Sequence, residues 1–291
     1  MNRKTEFLTV LALLACASAV VAGVQPLTLK FKTISAPGAK DTGLGGINNS
    51  NVVSGSYVDS SGVLHGMTLA GNQLMTIDDP NGTNTSPSGL NNTGMVVGNY
   101  SRGGNAVGFL YQNGAFTDVL PFGSSSSYVG NVNDAGIMVG GYTDPNTGAQ
   151  LAFYGPLGSY TSFQVPDSTA MQAAGINNAG LIVAAWEDSV GNWESSLFNP
   201  KTNTFTTINV PGALDSFANG INNHNDVVYL WLDASENYHG AVMSNSRFLK
   251  FDDPNGSAPG TVANGINDNG IVVGTFFPTG SMTYQGFAAF R

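Results

Sequence analysis

Paired carboxylates are the residues in this chain best placed to do chemistry. Asp78-Asp79-Pro80-Asn81-Gly82 and Asp252-Asp253-Pro254-Asn255-Gly256 repeat one five-residue motif. Adjacent carboxylates on a turn can hold a hard cation such as Ca²⁺, which takes about six to eight oxygens. On facing loops they could also serve as the carboxylate pair of glycoside cleavage. No Asp-x-Asx-x-Asx-Gly loop occurs, and Asx-Pro-Asn-Gly is also ordinary turn chemistry. Asp78, Asp79, Asp252 and Asp253 are therefore ligand-binding candidates and weak Ca²⁺ candidates; otherwise no metal or cofactor is expected. Asp215 joins them. Like Asp41, it stands six residues before a recurring anchor described below.

Trp186, Trp193 and Trp231 are the three tryptophans. Their broad rings suit stacking on the C–H face of a sugar, and equally suit core packing. Among the three histidines, His65 and His239 occupy equivalent strand positions, while His224 lies in a turn. They read as satisfied strand residues, because their repeats are not neighbours and a shared metal would need both to reach one centre. The chain has no Gly-x-Ser-x-Gly elbow, no His-Glu-x-x-His and no phosphate loop, so no catalytic residue is assigned. Asp59, Asp144, Asp188 and Asp233 each sit twelve residues past an anchor and read as turn-formers.

The elements that must position these groups are repeats. Gly-Ile-Asn or a variant recurs six times, with anchors at Ile47, Leu90, Val132, Ile176, Ile221 and Ile266. The steps between anchors are 43, 42, 44, 45 and 45 residues. A fixed period in the forties is one supersecondary unit copied in series. After every anchor comes Asn, then Asn or Asp, then at the fourth position Gly or Asn, the chemistry of a tight turn. An apolar strand follows, such as Met95-Val96-Val97, with an aromatic ten past the anchor: Tyr57, Tyr100, Tyr142, Trp186, Trp231 and Phe276. A third strand reads like Gly108-Phe109-Leu110-Tyr111, and a fourth like Phe205, Ile208, Pro211. Small residues precede each anchor, as expected of a strand at a crowded centre. Four short strands per repeat, six times over, spell a six-bladed β-propeller with four-stranded blades.

The two ends of the chain agree with a ring. The last copy stops after its third strand, while Phe31, Ile34, Pro37, Gly38 and Ala39 match Phe205, Ile208, Pro211, Gly212 and Ala213 offset for offset. The strand at residues 27–37 is thus expected to complete the last blade and close the ring, removing open edges. Residues common to all six copies are read as structural, since a single ligand site breaks the symmetry.

Residues 1–22 read as an export signal. Arg3 and Lys4 precede an uncharged run from Phe7 to Ala22 that ends in small residues. That run is too short for the ~20 residues of a membrane span. Cleavage is placed after Ala22, with Ala19 and lipidation at Cys16, in Leu13-Leu14-Ala15-Cys16, as alternatives. Cys16 is the only cysteine, so the mature chain forms no disulfide. Without Arg3, Lys4 and Glu6 the chain keeps 8 basic and 18 acidic residues, a net charge of −10. No basic patch remains for nucleic acid or anionic lipid.

The Gly-Ile-Asn-Asn-x-Gly turn, the Ile-Val-Gly-x-Tyr strand, the His-Gly-Phe-Leu-Tyr strand and the Phe-Thr-x-Ile-x-x-Pro-Gly-Ala strand resemble the bacterial HAF extracellular repeat family across residues 27–291. His-Gly itself occurs only at His65 and His239. The resemblance implies an exported β-propeller-like protein and no particular reaction. The reading is a signal peptide (1–22) followed by one propeller domain (23–291). It is a monomer, secreted or periplasmic, that acts as a binding or scaffolding module for a glycan, another neutral polymer or a surface protein. The competing reading is an extracellular hydrolase or lyase using loop carboxylates, with or without Ca²⁺. A third is a structural envelope component.

Overall fold

The computed structural model describes residues 29–281 and 283–290, with residues 258 and 259 described only as part of their strand. The expected signal segment, Cys16 included, lies outside the described residues. Among those described there is no α-helix, and so none long and apolar enough to cross a membrane.

The chain is a series of four-stranded antiparallel units. β1 (Lys30–Ile34) comes first but belongs with the last unit. β2 (Asp41–Ile47), β3 (Val52–Val58), β4 (Leu64–Ala70) and β5 (Gln73–Thr76) form one sheet. β6 (Thr83–Leu90), β7 (Val96–Arg102), β8 (Asn105–Gln112) and β9 (Ala115–Val119) form the next. β10 (Ser127–Val132), β11 (Met138–Thr143), β12 (Gln150–Gly155) and β13 (Thr161–Phe163) make the third unit. β14 (Ala170–Ile176), β15 (Ile182–Glu187), β16 (Trp193–Asn199) and β17 (Thr204–Thr207) make the fourth. β18 (Asp215–Ile221), β19 (Val227–Leu232), β20 (Tyr238–Ser244) and β21 (Arg247–Phe251) make the fifth. β22 (Gly256–Ile266), β23 (Val272–Pro278) and β24 (Gln285–Phe290) complete the series, and β1 pairs antiparallel with β24, Phe31 opposite Ala289. Single parallel bridges, Gln150↔Ala170 and Tyr238↔Gly260, join the third unit to the fourth and the fifth to the sixth, and no sheet closes on itself.

Each anchor ends the first strand of its unit, and the Asn after it organises the turn. Asn91 Oδ1 accepts from the backbone N–H groups of Thr93 (3.0 Å) and Met95 (2.9 Å). The turn then needs positive φ, supplied by Gly94 (φ 90°) or, elsewhere, by Asn51 (φ 61°) and Asn225 (φ 65°). The same Asn has a second task. Its Nδ2 donates to the backbone carbonyl of the corresponding Asn in the following unit: Asn48 to Asn91 (3.3 Å), Asn91 to Asn133 (2.9 Å), Asn133 to Asn177 (3.2 Å), Asn177 to Asn222 (3.3 Å) and Asn222 to Asn267 (3.1 Å). Asn267 donates in turn to Asn48, at 3.0 Å.

A one-residue bulge interrupts every first strand two residues before its anchor, at Gly45, Ser88, Gly130, Ala174, Asn219 and Asn264. These six residues line one cavity of about 360 Å³. Smallness is imposed there by the neighbouring strand: a Cβ on Gly45 would lie 2.6 Å from the Ser88 carbonyl. The small-residue segments that precede the anchors are that strand.

Apolar packing follows the same order. Each of six buried clusters is shared by two units; Val139 and Ala152 meet Met171 and Phe198, and Val273 and Ala288 of the last unit meet Leu44 and Val53 of the first. The aromatics ten past the anchor are buried at Tyr100 (0%), Tyr142 (3%), Trp231 (8%) and Phe276 (1%). Each such ring contributes about 1.5–3 kcal/mol, more than the ~0.5–1.5 kcal/mol of one Asn bond. Packing holds the units together, and the Asn bonds fix their register.

Candidate functional site

All first strands run toward the Asn turns, so the linkers entering them, with the acidic motifs, lie at the opposite end. The hairpins joining the second and third strands of each unit reach that end too. In the first unit this brings Asp59, His65 and Asp78 together. His65 Nδ1 lies 2.7 Å from Asp78 Oδ2, and Nε2 lies 3.5 Å from Asp59 Oδ2. Asp78 Oδ1 also accepts from the Gly66 N–H at 3.1 Å. The ring stacks on Tyr57, with centroids 5.1 Å apart. The fifth unit repeats the arrangement. His239 Nδ1 lies 3.0 Å from both Asp252 oxygens, Nε2 lies 3.4 Å from Asp233 Oδ2, and the ring stacks on Trp231 at 4.6 Å. In the fourth unit Glu194 and Asn209 take these places and bond to each other.

The charges respond to this geometry. The Asp78 carboxylate raises the His65 imidazole above its ordinary 6.5. The Val63 backbone N–H holds the Asp59 carboxyl at about 2, and the Asn237 N–H does the same for Asp233. Asp59, Asp144, Asp188 and Asp233 all accept backbone N–H groups of their own hairpins, as turn-formers do. A general base needs a free nitrogen lone pair. At His65 and His239 each ring nitrogen faces a carboxylate instead, which suits positioning rather than proton abstraction.

The second Asp of each motif is buried. Asp79 is 3% and Asp253 2% exposed, each accepts at Oδ1 from the Asn two residues on, and each has an Oδ2 without a hydrogen-bond partner. Burial pushes the Asp253 carboxyl above its ordinary 3.8. Beside it lies a cleft of about 290 Å³ between β20–β21 and β22, lined by Asp252 and Asp253 together with Tyr238, His239, Ser257 and Thr261. Asp252 is 54% exposed there, with its orientation fixed by His239.

The other sequence candidates are placed apart from this cleft. Asp215 Oδ1 accepts from the Trp193 N–H at 2.8 Å, tying β16 to β18; Asp41 holds the Tyr284 N–H in the same way at 2.9 Å. Trp193 is half-buried against Phe217. Trp186 is half-buried, its Nε1 buried without a partner. Trp231 is buried: its Nε1 donates to Gly240 O, and the Lys250 ammonium sits 3.9 Å from its ring centroid. None of Asp78, Asp79, Asp215 and Asp252 lines the cavity at the first-strand bulges. Sequence reasoning missed Tyr238 and Thr261, whose only signals are a tyrosine before His239 and a hydroxyl five before the anchor.

No protein-family model and no curated protein matches the chain. Solved structures do. AofleA from Arthrobotrys oligospora is similar at TM-score 0.57 and 13% identity, over 91% of this chain and 87% of that one. TolB from Acinetobacter baumannii is similar at TM-score 0.55 and 10% identity, over 89% of this chain, which spans 65% of the TolB chain. The SapL1 lectin, solved with α-methyl fucoside, is similar at TM-score 0.53 and 11% identity, over 89% and 94%. The fold is a β-propeller. At such identities the likeness extends to the fold alone.

Proposed function

We propose that the chain is an exported, six-bladed β-propeller, closed into a ring by β1, that serves as a binding module for carbohydrate or a cell-surface partner. The ring reading is supported by the Asn267–Asn48 bond, which has the same form as the other five, and by the apolar cluster that joins the last unit to the first. The export reading rests on residues 1–22 alone, and the HAF resemblance is consistent with it.

One observation carries the binding reading. The cleft beside β20 and β22 presents an exposed carboxylate locked by an imidazole, a tyrosine and hydroxyl side chains, on a rigid sheet framework. Such a set accepts and donates hydrogen bonds to a hydroxyl-rich ligand without itself rearranging. SapL1 and AofleA share the fold, and the lectin of that pair was solved with a fucoside. A glycan array probed with residues 23–291, with and without Ca²⁺, tests the proposal. Binding in neither condition removes the carbohydrate reading, and binding indifferent to chelation removes the metal.

A further inference from the structure

Alignment of the six linkers isolates one position at which the chain breaks its own pattern. The residue directly after the one opposite the third strand's entry (Ile77, Val119, Ile208 or Phe251), plus one, is Asp79, Pro121, Val210 or Asp253. The equivalents in the other two linkers are Ala36 and Val165. Ala36 and Val210 are each 2% exposed, and Pro121 is buried as well. In four of the six linkers the backbone N–H at this position points at a hydroxyl on the next first strand, Ala36 at Thr42, Asp79 at Thr85, Val210 at Ser216 and Asp253 at Thr261; the half-buried Val165 points at Met171 Sδ instead, and Pro121 has no N–H. The local fold is therefore met by an apolar residue and needs no carboxyl there.

Asp79 and Asp253 share this anomaly and differ in the space around it. A Cβ on Gly82 would collide with the Ser101 carbonyl and the Tyr100 ring, so the first-unit motif is packed shut. At Gly256 the same probe meets nothing nearer than Asp253 O at 3.1 Å, and two more residues separate Asp253 from Thr261 than separate Asp79 from Thr85. The open cleft is at Asp253.

We propose that Asp253 is the buried anchor of a saccharide subsite in this cleft. Its unpartnered Oδ2 accepts a ligand hydroxyl, while Asp252 and Tyr238 at the rim hold further hydroxyls of the same ring. This rests on the binding-module reading and specifies its site. About 290 Å³ is at the small end of ligand sites, which suits one sugar ring. Asp233 and Asp252 on His239, with Asp253 in the same cleft, disfavour uronic or sialic acids, so the sugar is neutral. A cation is the weaker occupant, because both Asp252 oxygens already face His239 Nδ1.

The test uses the mature chain, free L-fucose, D-galactose, D-mannose and N-acetylglucosamine by saturation-transfer NMR, and the same sugars as terminal residues on an array. Asp253→Val, copying Val210, is expected to melt no lower than wild type and to weaken sugar binding about tenfold or more. Asp253→Asn, which keeps an acceptor, retains part of the binding. Wild-type affinity in Asp253→Val overturns the subsite while leaving the glycan reading in place. A wild-type chain that binds no sugar removes both. Loss of wild-type binding on chelation overturns the direct hydroxyl contact in favour of a cation.

Discussion

Asn267 Nδ2 donates to the Asn48 backbone carbonyl at 3.0 Å, across 219 residues of sequence. Asn91 makes the equivalent bond to Asn133 at 2.9 Å and holds two turn N–H groups through Oδ1. Asn91→Ala removes these three bonds and the one that Thr93 Oγ1 donates to the same Oδ1, and strands buried partners, at a cost of about 2–4 kcal/mol. Asn267→Ala should cost the same in urea titrations. A loss of under half that of Asn91→Ala would mean that the ends of the chain are not joined as the interior units are.

A second series of bonds accompanies the first, and it carries charge. The backbone N–H of Asn49 donates to Asn92 Oδ1, and so on through Asp134, Asn178, Asn223 and Asp268 back to Asn49. Asp134 Oδ2 accepts from both Asn92 and Asn178, and Asp268 Oδ2 from both Asn49 and Asn223. Burial raises both carboxyls, but the amide donors outweigh it and leave them below 3.8. Their folded pKa is depressed, so their stabilisation is present above pH 3.8 and is lost as pH falls through the lower folded values. Asp134→Asn sets a donor against two donors. It should lower the melting temperature at neutral pH and matter little in acid, as paired thermal scans would reveal; an equal loss at both would contradict the charge.

His65 has the opposite sign. Its folded pKa lies above 6.5 because of Asp78, so the stabilisation is complete below pH 6.5 and disappears as pH rises through the folded value. Asp78→Asn should return the imidazole toward 6.5 in an NMR titration and flatten the alkaline limb of the stability curve. An unchanged titration would separate His65 from Asp78. The half-buried Asp59 carboxyl acts at the other end: its contribution is present above pH 3.8 and is lost as pH falls toward about 2.

The period, the turns and the displaced strand were legible because each rests on local chemistry: an Asn that tolerates a tight turn, alternating apolar residues, a proline that ends a strand. β1 could be matched to Phe205 and its neighbours because both pack the same faces, and Phe31 does sit 5.8 Å from Phe287. The outward task of the six asparagines was not legible. An Oδ1 in a turn and an Nδ2 reaching the next unit leave the same letter in the sequence. Trp231 and Trp193 were equally ambiguous, since a stacking platform and a core ring differ only in what covers them; His239 and Lys250 lie against the Trp231 ring. Asp78 and Asp79 looked like a pair, but alternate side chains point to opposite faces. One is exposed on His65 and the other is buried.

That burial makes Asp79 a place where the chain gives up stability. Its Oδ2 is buried without a partner, a state that costs about 1–3 kcal/mol, while its Oδ1 bond to the Asn81 N–H returns about 0.5–1.5 kcal/mol. The main-chain bond to Thr85 Oγ1 survives any side chain, as Ala36 shows with Thr42. Asp79→Val removes the orphaned oxygen and fills the site as Val210 does. The expected outcome is a gain of about 1–2 kcal/mol, or a few degrees in melting temperature. Asp79→Asn should gain less, because an amide there still has a polar end to satisfy. If the valine variant is instead less stable than wild type, Asp79 has a partner in solution that its neighbours Tyr100 and Arg102 are the first places to seek.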